Sequence, residues 1–129
     1  MRLAGTVSRR SRVLLGWITT HVLDTANGTP AVGMRVTLTR LDGTPKLICD
    51  ILTNADGRCD KPVLDRDAYV AGSYELMFYV GEYFRRVGPK RPDPPFLEQV
   101  PIRFGVSEDA HYHVPLLVSP YAYSTYRGS

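Results

Sequence analysis

Short segments of alternating apolar and polar residues, separated by turn sequences, are the feature that most limits the folds open to this chain. In GMRVTLTRL (residues 33–41), Met34, Val36 and Leu38 fall at every second position, with polar side chains between them. A β-strand directs successive side chains to opposite faces, so this pattern predicts a strand with one buried face. The flanking sequences DTANGTP and DGTP are rich in residues that favour turns.

Similar segments of strand length recur along the rest of the chain. They lie at residues 16–24, 46–53, 72–80 and 96–106, and two more are joined at Ser119 and Pro120 in the closing stretch. The one segment that favours a helix is GEYFRRVG (residues 81–88), which the proline-rich PKRPDPP would end. Strands at this spacing predict an all-β protein, folded as a β-sandwich.

The composition is that of a single globular domain. The chain has 129 residues, of which 43% are hydrophobic and 22% charged, and this length allows one sizeable core. No apolar run approaches the ~20 residues of a membrane-spanning helix. The net charge of +3 comes from Arg2, Arg9, Arg10 and Arg12, because the chain is near neutrality without them. A basic patch for nucleic acid is therefore not predicted.

Residues 1–15 form a basic extension that precedes the first strand pattern. The segment is rich in arginine and has no acid, which is typical of organelle presequences. It also lacks strand periodicity, which favours an extension without fixed structure. We expect the folded domain to cover residues 16–129, and both interpretations of the extension stay open.

The two cysteines predict neither a zinc site nor a required disulfide. Cys49 and Cys59 are ten positions apart, without the CxxC spacing of metal or redox motifs. A chain of this length does not need a disulfide to fold. We expect two reduced thiols in a cytosolic protein.

The final strand pattern places two histidines on one face. In HYHVPLL (residues 111–117), strand alternation directs His111 and His113 to one side and Tyr112, Val114 and Leu116 to the other. The second side is the more apolar one and is predicted to face the core. In ITTHVLD (residues 18–24), the same rule puts the third histidine of the chain away from the more apolar stripe. Isolated surface histidines, or an interface, would both explain this pattern.

Two kinds of chemistry are weakly supported by these histidines. A pair of histidines two residues apart, with a third elsewhere, can bind zinc, but no carboxylate is placed to complete the ligand set. Nucleophilic catalysis has less support, because the chain has no GxSxG sequence and neither cysteine is next to a histidine. No glycine-rich phosphate loop is present.

Several motifs together resemble one enzyme family. They cover residues 16–129 and end in Tyr-Arg-Gly-Ser: TTHVLDTANGTPA, TNADGRCDKP, GEYF, PFLEQVPIRF and HYHVPLL followed by SPYAYSTYRGS. These sequences resemble the 5-hydroxyisourate hydrolases, the transthyretin-related enzymes of urate breakdown. The closing tetrapeptide is the most specific motif, because it separates these hydrolases from transthyretin itself.

The resemblance implies a fold and an assembly. The fold is a transthyretin-like sandwich of two four-stranded antiparallel sheets with one short helix, for which GEYFRRVG is the expected position. The assembly is a homotetramer, a dimer of dimers, with substrate sites in the channel between dimers. In that assembly the strand face that carries His111 and His113, called here the histidine face, would be directed towards a partner subunit. His21 and His113 would come together there.

The resemblance also implies an activity and its residues. The reaction is hydrolysis of 5-hydroxyisourate, a cyclic amide, to 2-oxo-4-hydroxy-4-carboxy-5-ureidoimidazoline, without a cofactor or metal. The expected location is the cytoplasm, or the peroxisome if the source is eukaryotic. The family pattern assigns catalysis to His21, Arg58, His113 and Ser129, and substrate binding to His21, Arg58, Tyr126 and Arg127.

Two other classes of function stay open on the sequence. One is a transthyretin-like carrier that holds a small ligand in the same channel without turnover. The other is a structural sandwich for adhesion or assembly. Histidines at two expected channel positions and the closing tetrapeptide favour the hydrolase over the carrier, whereas a monomer in light scattering would favour the structural sandwich.

Overall fold

The strands of this protein form two four-stranded sheets that pack face to face. A computed structural model describes residues 16–128, so the basic extension and Ser129 lie outside the described residues. The elements are β1 (Trp17–Asp24), β2 (Thr29–Pro30), β3 (Arg35–Arg40), β4 (Lys46–Leu52), β5 (Gly72–Phe78), α1 (Val80–Arg86), β6 (Val100–Val106), β7 (His111–Val118) and β8 (Tyr123–Thr125). The predicted sandwich with one short helix is confirmed.

The two sheets differ in strand direction. One has the order β4-β3-β5-β6 and is antiparallel throughout, and the other has the order β2-β1-β7-β8. In the second sheet β1 and β7 run parallel, whereas the outer pairs are antiparallel. The expectation of purely antiparallel sheets is corrected at this one pair. The whole of the other sheet is built between β1 and β7, and so long a connection permits parallel pairing.

The core lies between the inner faces of the two sheets. Alternate residues of β1 and β7 are buried, as the sequence pattern predicts. Side chains of β3, β5 and α1 fill the space opposite them. The large side chains that are fully buried include Ile18, Met34, Leu38, Tyr74, Leu76, Phe78 and Leu116.

The helix begins and ends close to its predicted limits. It was expected at residues 81–88 and covers Val80–Arg86. Gly88 has φ +86, a conformation that glycine adopts without steric cost and that ends the helix. Arg91 Nη1 donates to the carbonyl oxygens of Phe84 and Val87, at 3.2 and 3.1 Å, and so satisfies exposed acceptors at the helix end.

Two short elements were not predicted. The two-residue strand β2 is too short to show an alternating pattern, and a single 3₁₀ turn at Arg66–Ala68 begins at Asp65, whose side chain caps it. The strand predicted at residues 96–106 begins at Val100, because Phe96 is exposed and precedes the pairing with β5. No helix within residues 16–128 is long and apolar enough to cross a membrane.

A buried carboxylate connects the end of β1 to the helix. Asp24 is 1% exposed and accepts hydrogen bonds from the backbone N–H groups of Ala26 and Asn27, from Asn27 Nδ2 and from the Tyr83 hydroxyl, at 2.7–3.0 Å. Burial by itself would raise the pKa of Asp24, but the hydrogen bonds from Asn27 and Tyr83 outweigh burial and lower it. Asp24 therefore stabilises the fold above the ordinary carboxyl pKa, and this stabilisation is lost as the pH falls through the lowered value.

We expect Asp24→Ala to lower the free energy of unfolding at pH 7 by about 3 kcal/mol, because several donors lose a buried acceptor. Urea denaturation of both proteins measures this difference, which should shrink between pH 5 and pH 3. Asp50→Ala is the matched control, since its carboxylate forms an exposed ion pair with Arg35 at 2.9 Å and should contribute much less. Equal losses in the two variants would contradict the role of Asp24.

Candidate active site

The three histidines lie on the outer face of the β2-β1-β7-β8 sheet. Strand pairing sets Thr19 opposite His113 and His21 opposite Pro115. His21, His111 and His113 are half-buried, and their neighbours along each strand are buried in the core. The predicted faces are confirmed. The pairing brings His21 and His113 onto one face within a single chain, so this proximity does not require a second subunit.

A threonine joins two of the histidines. Thr19 Oγ1 lies 2.7 Å from His111 Nε2 and 2.7 Å from His113 Nδ1. The His111 ring stacks on Trp17, with ring centroids 4.1 Å apart and an interplanar angle of 7°. Sequence reasoning missed Thr19 and Trp17. Alternation places both on the face of His21, but their contacts depend on the register between β1 and β7.

A tight turn after β4 holds Arg58 next to His21. Asn54 Oδ1 accepts from the backbone N–H groups of Asp56 and Arg58, at 2.9 and 3.1 Å. Gly57 has φ +74, and a Cβ there would lie 2.4 Å from the carbonyl oxygen of Val22, so the turn requires glycine. His21 Nε2 donates to the Asp56 carbonyl at 2.9 Å.

A cleft of about 390 Å³ lies along this face and has a basic lining. The residues that line it are Thr19, Thr20, Arg58, Cys59, Lys61, His111 and His113. Lys61 and Cys59 were not predicted to lie here. Burial raises the pKa of the Cys59 thiol to about 12, so the thiol is protonated at neutral pH and is a poor nucleophile. Cys49 and Cys59 are both free thiols.

The Arg58 side chain is available to a ligand. It is exposed and forms no ion pair with any residue between 16 and 128. The nearby Asp60 carboxylate instead accepts a hydrogen bond from Asn54 Nδ2 at 2.9 Å. The guanidinium therefore keeps its donors for a ligand in the cleft.

The end of the chain closes a second side of the histidine face. β8 pairs with β7, and the same register continues to Gly128, whose N–H donates to the His113 carbonyl at 2.7 Å. Tyr126 is 59% exposed and falls on the histidine face in this register. A cleft of about 800 Å³ is lined by His111, His113, Tyr126, Arg127 and Gly128.

Contacts with neighbouring side chains account for two residues of the closing tetrapeptide. The φ of Gly128 is not positive, so a left-handed backbone conformation is not the reason for glycine there. A Cβ at Gly128 would lie 2.8 Å from His113 Cδ2, so glycine is needed for close approach to the ring. The Arg127 guanidinium lies 4.0 Å from the Tyr112 ring centroid and 3.7 Å from the Glu108 carboxylate. Ser129 lies outside the described residues.

The surroundings lower the pKa of all three histidines. Burial is the main cause for each. The positive charge of Arg58 adds to it for His21 and His113, and Arg127 adds to it for His111. The imidazoles are therefore neutral at pH 7 and can accept a proton.

The donors on this face do not assemble a metal site. Among residues 16–128, no group of three or more histidine, cysteine, aspartate or glutamate side chains is arranged to hold a metal ion. The metal-free reaction expected from the sequence stays a prediction. What the geometry offers is neutral imidazoles beside a guanidinium, which suits proton transfer at a polarised carbonyl group.

Comparison with known proteins places this geometry in one family. The model of the HIUase/Transthyretin family matches residues 18–128. A curated relative, "5-hydroxyisourate hydrolase 2" of Rhizobium meliloti (strain 1021), is 57% identical over 116 residues, which are 88% of this chain and 97% of the relative.

Two solved structures share the fold. The 5-hydroxyisourate hydrolase of Klebsiella pneumoniae superposes with a TM-score of 0.75 at 34% identity, over 89% of this chain and all of that chain. Sea bream transthyretin in complex with thyroxine superposes with a TM-score of 0.76 at 26% identity, over 86% of this chain and 93% of that chain.

We expect Gly128→Ala to displace the His113 ring, because the added methyl group would overlap it. Nuclear magnetic resonance spectra of the imidazole report the displacement directly. Gly105→Ala is the matched control, since a Cβ at Gly105 meets no atom within 4 Å. His113 resonances that stay unchanged in Gly128→Ala would contradict the close packing of the chain end on this ring.

Proposed function

Because the chain belongs to the HIUase/transthyretin family, we propose that it hydrolyses 5-hydroxyisourate to 2-oxo-4-hydroxy-4-carboxy-5-ureidoimidazoline in urate degradation. The observation that carries the proposal is the 57% identity to a 5-hydroxyisourate hydrolase over nearly all of that relative's length. The histidine face supplies the chemistry. Hydrolysis of a cyclic amide needs an activated water, a stabilised oxyanion and a proton for the leaving nitrogen.

The His21–His113 pair provides the proton transfers in this proposal. Both imidazoles are neutral at pH 7, since burial and Arg58 lower the pKa of each. A carbonyl oxygen can only accept, so the contact with Asp56 fixes the His21 proton on Nε2 and leaves its lone pair on Nδ1. One histidine takes the proton from water, while the other holds that water or gives a proton to the leaving nitrogen.

Cationic donors stabilise the oxyanion. When water attacks the carbonyl carbon, negative charge develops on the carbonyl oxygen. Arg58 presents a planar set of N–H donors at the cleft and is our candidate for this contact. Lys61 lines the same cleft and adds a second positive charge. A preorganised donor of this kind typically contributes about 10²- to 10³-fold to the rate.

The closing tetrapeptide bounds the substrate site in this proposal. Tyr126 supplies an aromatic wall on the histidine face. Arg127 packs on Tyr112 and lies near Glu108, a position that favours anchoring the chain end and leaves substrate contact as a second role. The catalytic assignment of Ser129 stays a prediction.

We further propose that the protein acts as a homotetramer, a dimer of dimers, with the sites between dimers. The supporting observations are that the histidine face is the outer face of its sheet and that Tyr126, which is 59% exposed, lines a cleft there with His111 and His113. Exposed aromatic side chains are enriched at protein interfaces. Two free thiols support a reducing compartment such as the cytoplasm, with a peroxisomal location for a eukaryotic source.

A small-ligand carrier is the second candidate, favoured by the superposition with a transthyretin solved in complex with thyroxine. A carrier would use the same face to bind a ligand without changing it. The measurement that separates the two functions is the rate at which the absorbance of fresh 5-hydroxyisourate decays. Faster decay with the protein supports the hydrolase, and binding without faster decay supports the carrier.

We expect His113→Ala and His21→Ala each to lower kcat/KM for 5-hydroxyisourate by about 10²- to 10⁴-fold, the typical contribution of an acid–base group. Arg58→Ala should lower it by about 10²-fold or more through lost oxyanion stabilisation. Arg103→Ala is the matched control for arginine loss, because Arg103 is exposed on the other sheet, paired with Glu75, and should keep full activity.

Circular dichroism checks that each variant stays folded. If the protein without any substitution fails to accelerate the decay of 5-hydroxyisourate, the proposed hydrolase activity is refuted. An Arg58→Ala variant as active as Arg103→Ala would remove Arg58 from the proposed site while leaving the family assignment intact.

A further inference from the structure

The Thr19 hydroxyl group contacts two histidines on the histidine face. Thr19 Oγ1 is 2.7 Å from both His111 Nε2 and His113 Nδ1. A hydroxyl has a single proton, so it donates to one ring nitrogen and accepts from the other. When both imidazoles are neutral, the N–H of one ring therefore donates to the hydroxyl, and the hydroxyl donates to the other ring. The direction decides which nitrogen of His113 carries the proton.

We propose that Thr19 connects His113 to His111 in a directed proton relay. The Nδ1–H of His113 donates to Thr19 Oγ1, and the Thr19 hydroxyl donates to Nε2 of His111. The inference rests on the proposed function and names His113 as the histidine that removes a proton from water. Thr19 is a positioning residue, since it acts through His113.

The position of His113 supports this direction. Its ring lines both clefts, and Thr19 occupies its Nδ1. Nε2 is the remaining ring nitrogen, and it must hold a lone pair to accept a proton from water. The proposed direction leaves the lone pair there. The opposite direction would put a proton on Nε2 and prevent this role.

The hydrogen-bond partner of His21, unlike that of His113, cannot pass a proton on. The Nε2–H of His21 donates to the Asp56 carbonyl, which cannot take up a proton at neutral pH. A proton bound by His21 would therefore remain on that ring. His113 can pass positive charge to a second imidazole, because its partner Thr19 both accepts and donates.

The relay conserves every proton and electron pair. As water attacks the carbonyl carbon, an O–H bond of water breaks and its proton binds Nε2 of His113. The Nδ1 proton of His113 moves to Thr19 Oγ1, and the hydroxyl's own proton moves to Nε2 of His111. His111, already protonated on Nδ1, becomes an imidazolium. When the C–N bond of the substrate breaks, the reverse transfers deliver a proton from Nε2 of His113 to the leaving nitrogen.

His111 is suited to hold the proton briefly. Its ring stacks on Trp17 at 4.1 Å, and an aromatic face attracts a cation. The surrounding charges oppose a lasting imidazolium. They are Arg58 and Lys61 from the segment after β4, Arg127 after β8, and Arg66, whose guanidinium lies 4.4 Å from the Trp17 ring centroid. The proton is therefore returned to His113 within the reaction.

Substitutions of Thr19 test the relay. Thr19→Val keeps the shape of the side chain but lacks the hydroxyl. By analogy with groups that orient metal-bound histidines, it should lower kcat by about 10- to 100-fold with little change in KM. Thr19→Ser keeps the hydroxyl and should restore kcat to within about threefold of the unchanged protein. Thr39→Val on the other sheet is the matched control, with full activity expected.

Nitrogen-15 chemical shifts of the histidine rings, measured without substrate, give a second readout. The unchanged protein should show His113 protonated on Nδ1, and Thr19→Val should lose this preference. His111→Phe preserves an aromatic ring on Trp17 but cannot accept a proton. It should lower kcat as much as Thr19→Val, and the double variant should be no slower than either one, since both remove the same relay.

Several results would overturn the relay. They are a His113 ring protonated on Nε2 in the unchanged protein, full activity in Thr19→Val, or losses that add in the double variant. A failure of the proposed function is distinguishable from these outcomes. In that case the unchanged protein shows no turnover at all, and the nitrogen shifts still decide the direction of the hydrogen bonds.

Discussion

The parallel pairing of β1 with β7 is the constraint on which the rest of the site depends. Its register sets Trp17 opposite His111 and Thr19 opposite His113. A shift of one residue would turn every one of these side chains to the other face. The register is fixed because the opposite faces of both strands are buried in the core. The same alternation that forms the core therefore also assembles the histidine face.

Polar contacts add further residues to the site on both sides of the paired strands β1 and β7. On the β1 side, the turn at residues 54–57 presents Arg58 and directs its Asp56 carbonyl to His21. On the β7 side, the chain end pairs up to Gly128 and packs against the His113 ring. Burial, together with the positive charges of Arg58 and Arg127, keeps the histidines neutral, and positive charge beside them favours a developing oxyanion. The proposed proton transfer therefore depends on charged side chains whose positions are set by the backbone turn and the strand pairing.

Much of the fold was predictable from the sequence, because strand alternation and turn residues are local signals. The faces of β1 and β7, the sandwich and the helix near residues 81–88 all follow from them. The parallel direction of β1 and β7 does not, since it depends on how the intervening sheet returns the chain. The hydrogen bonds of Thr19 to two histidines and the stacking of Trp17 on His111 depend on the same long-range register, so they could not be predicted. The residues themselves lie on the predicted face. His21, Arg58 and His113 were named through family resemblance, and spacing alone would not have connected them.

The central claim is that a neutral histidine on this face removes a proton from water. The most direct test is the dependence of kcat/KM for 5-hydroxyisourate on pH between 5 and 9. Burial and Arg58 lower the pKa of His113 and His21, and protonation would occupy the accepting lone pair. We therefore predict a plateau at and above pH 7 and a loss of rate on the acid side, with a midpoint below the ordinary histidine value of about 6.5. A midpoint above 6.5, or a rate that rises as the pH falls, would contradict the account.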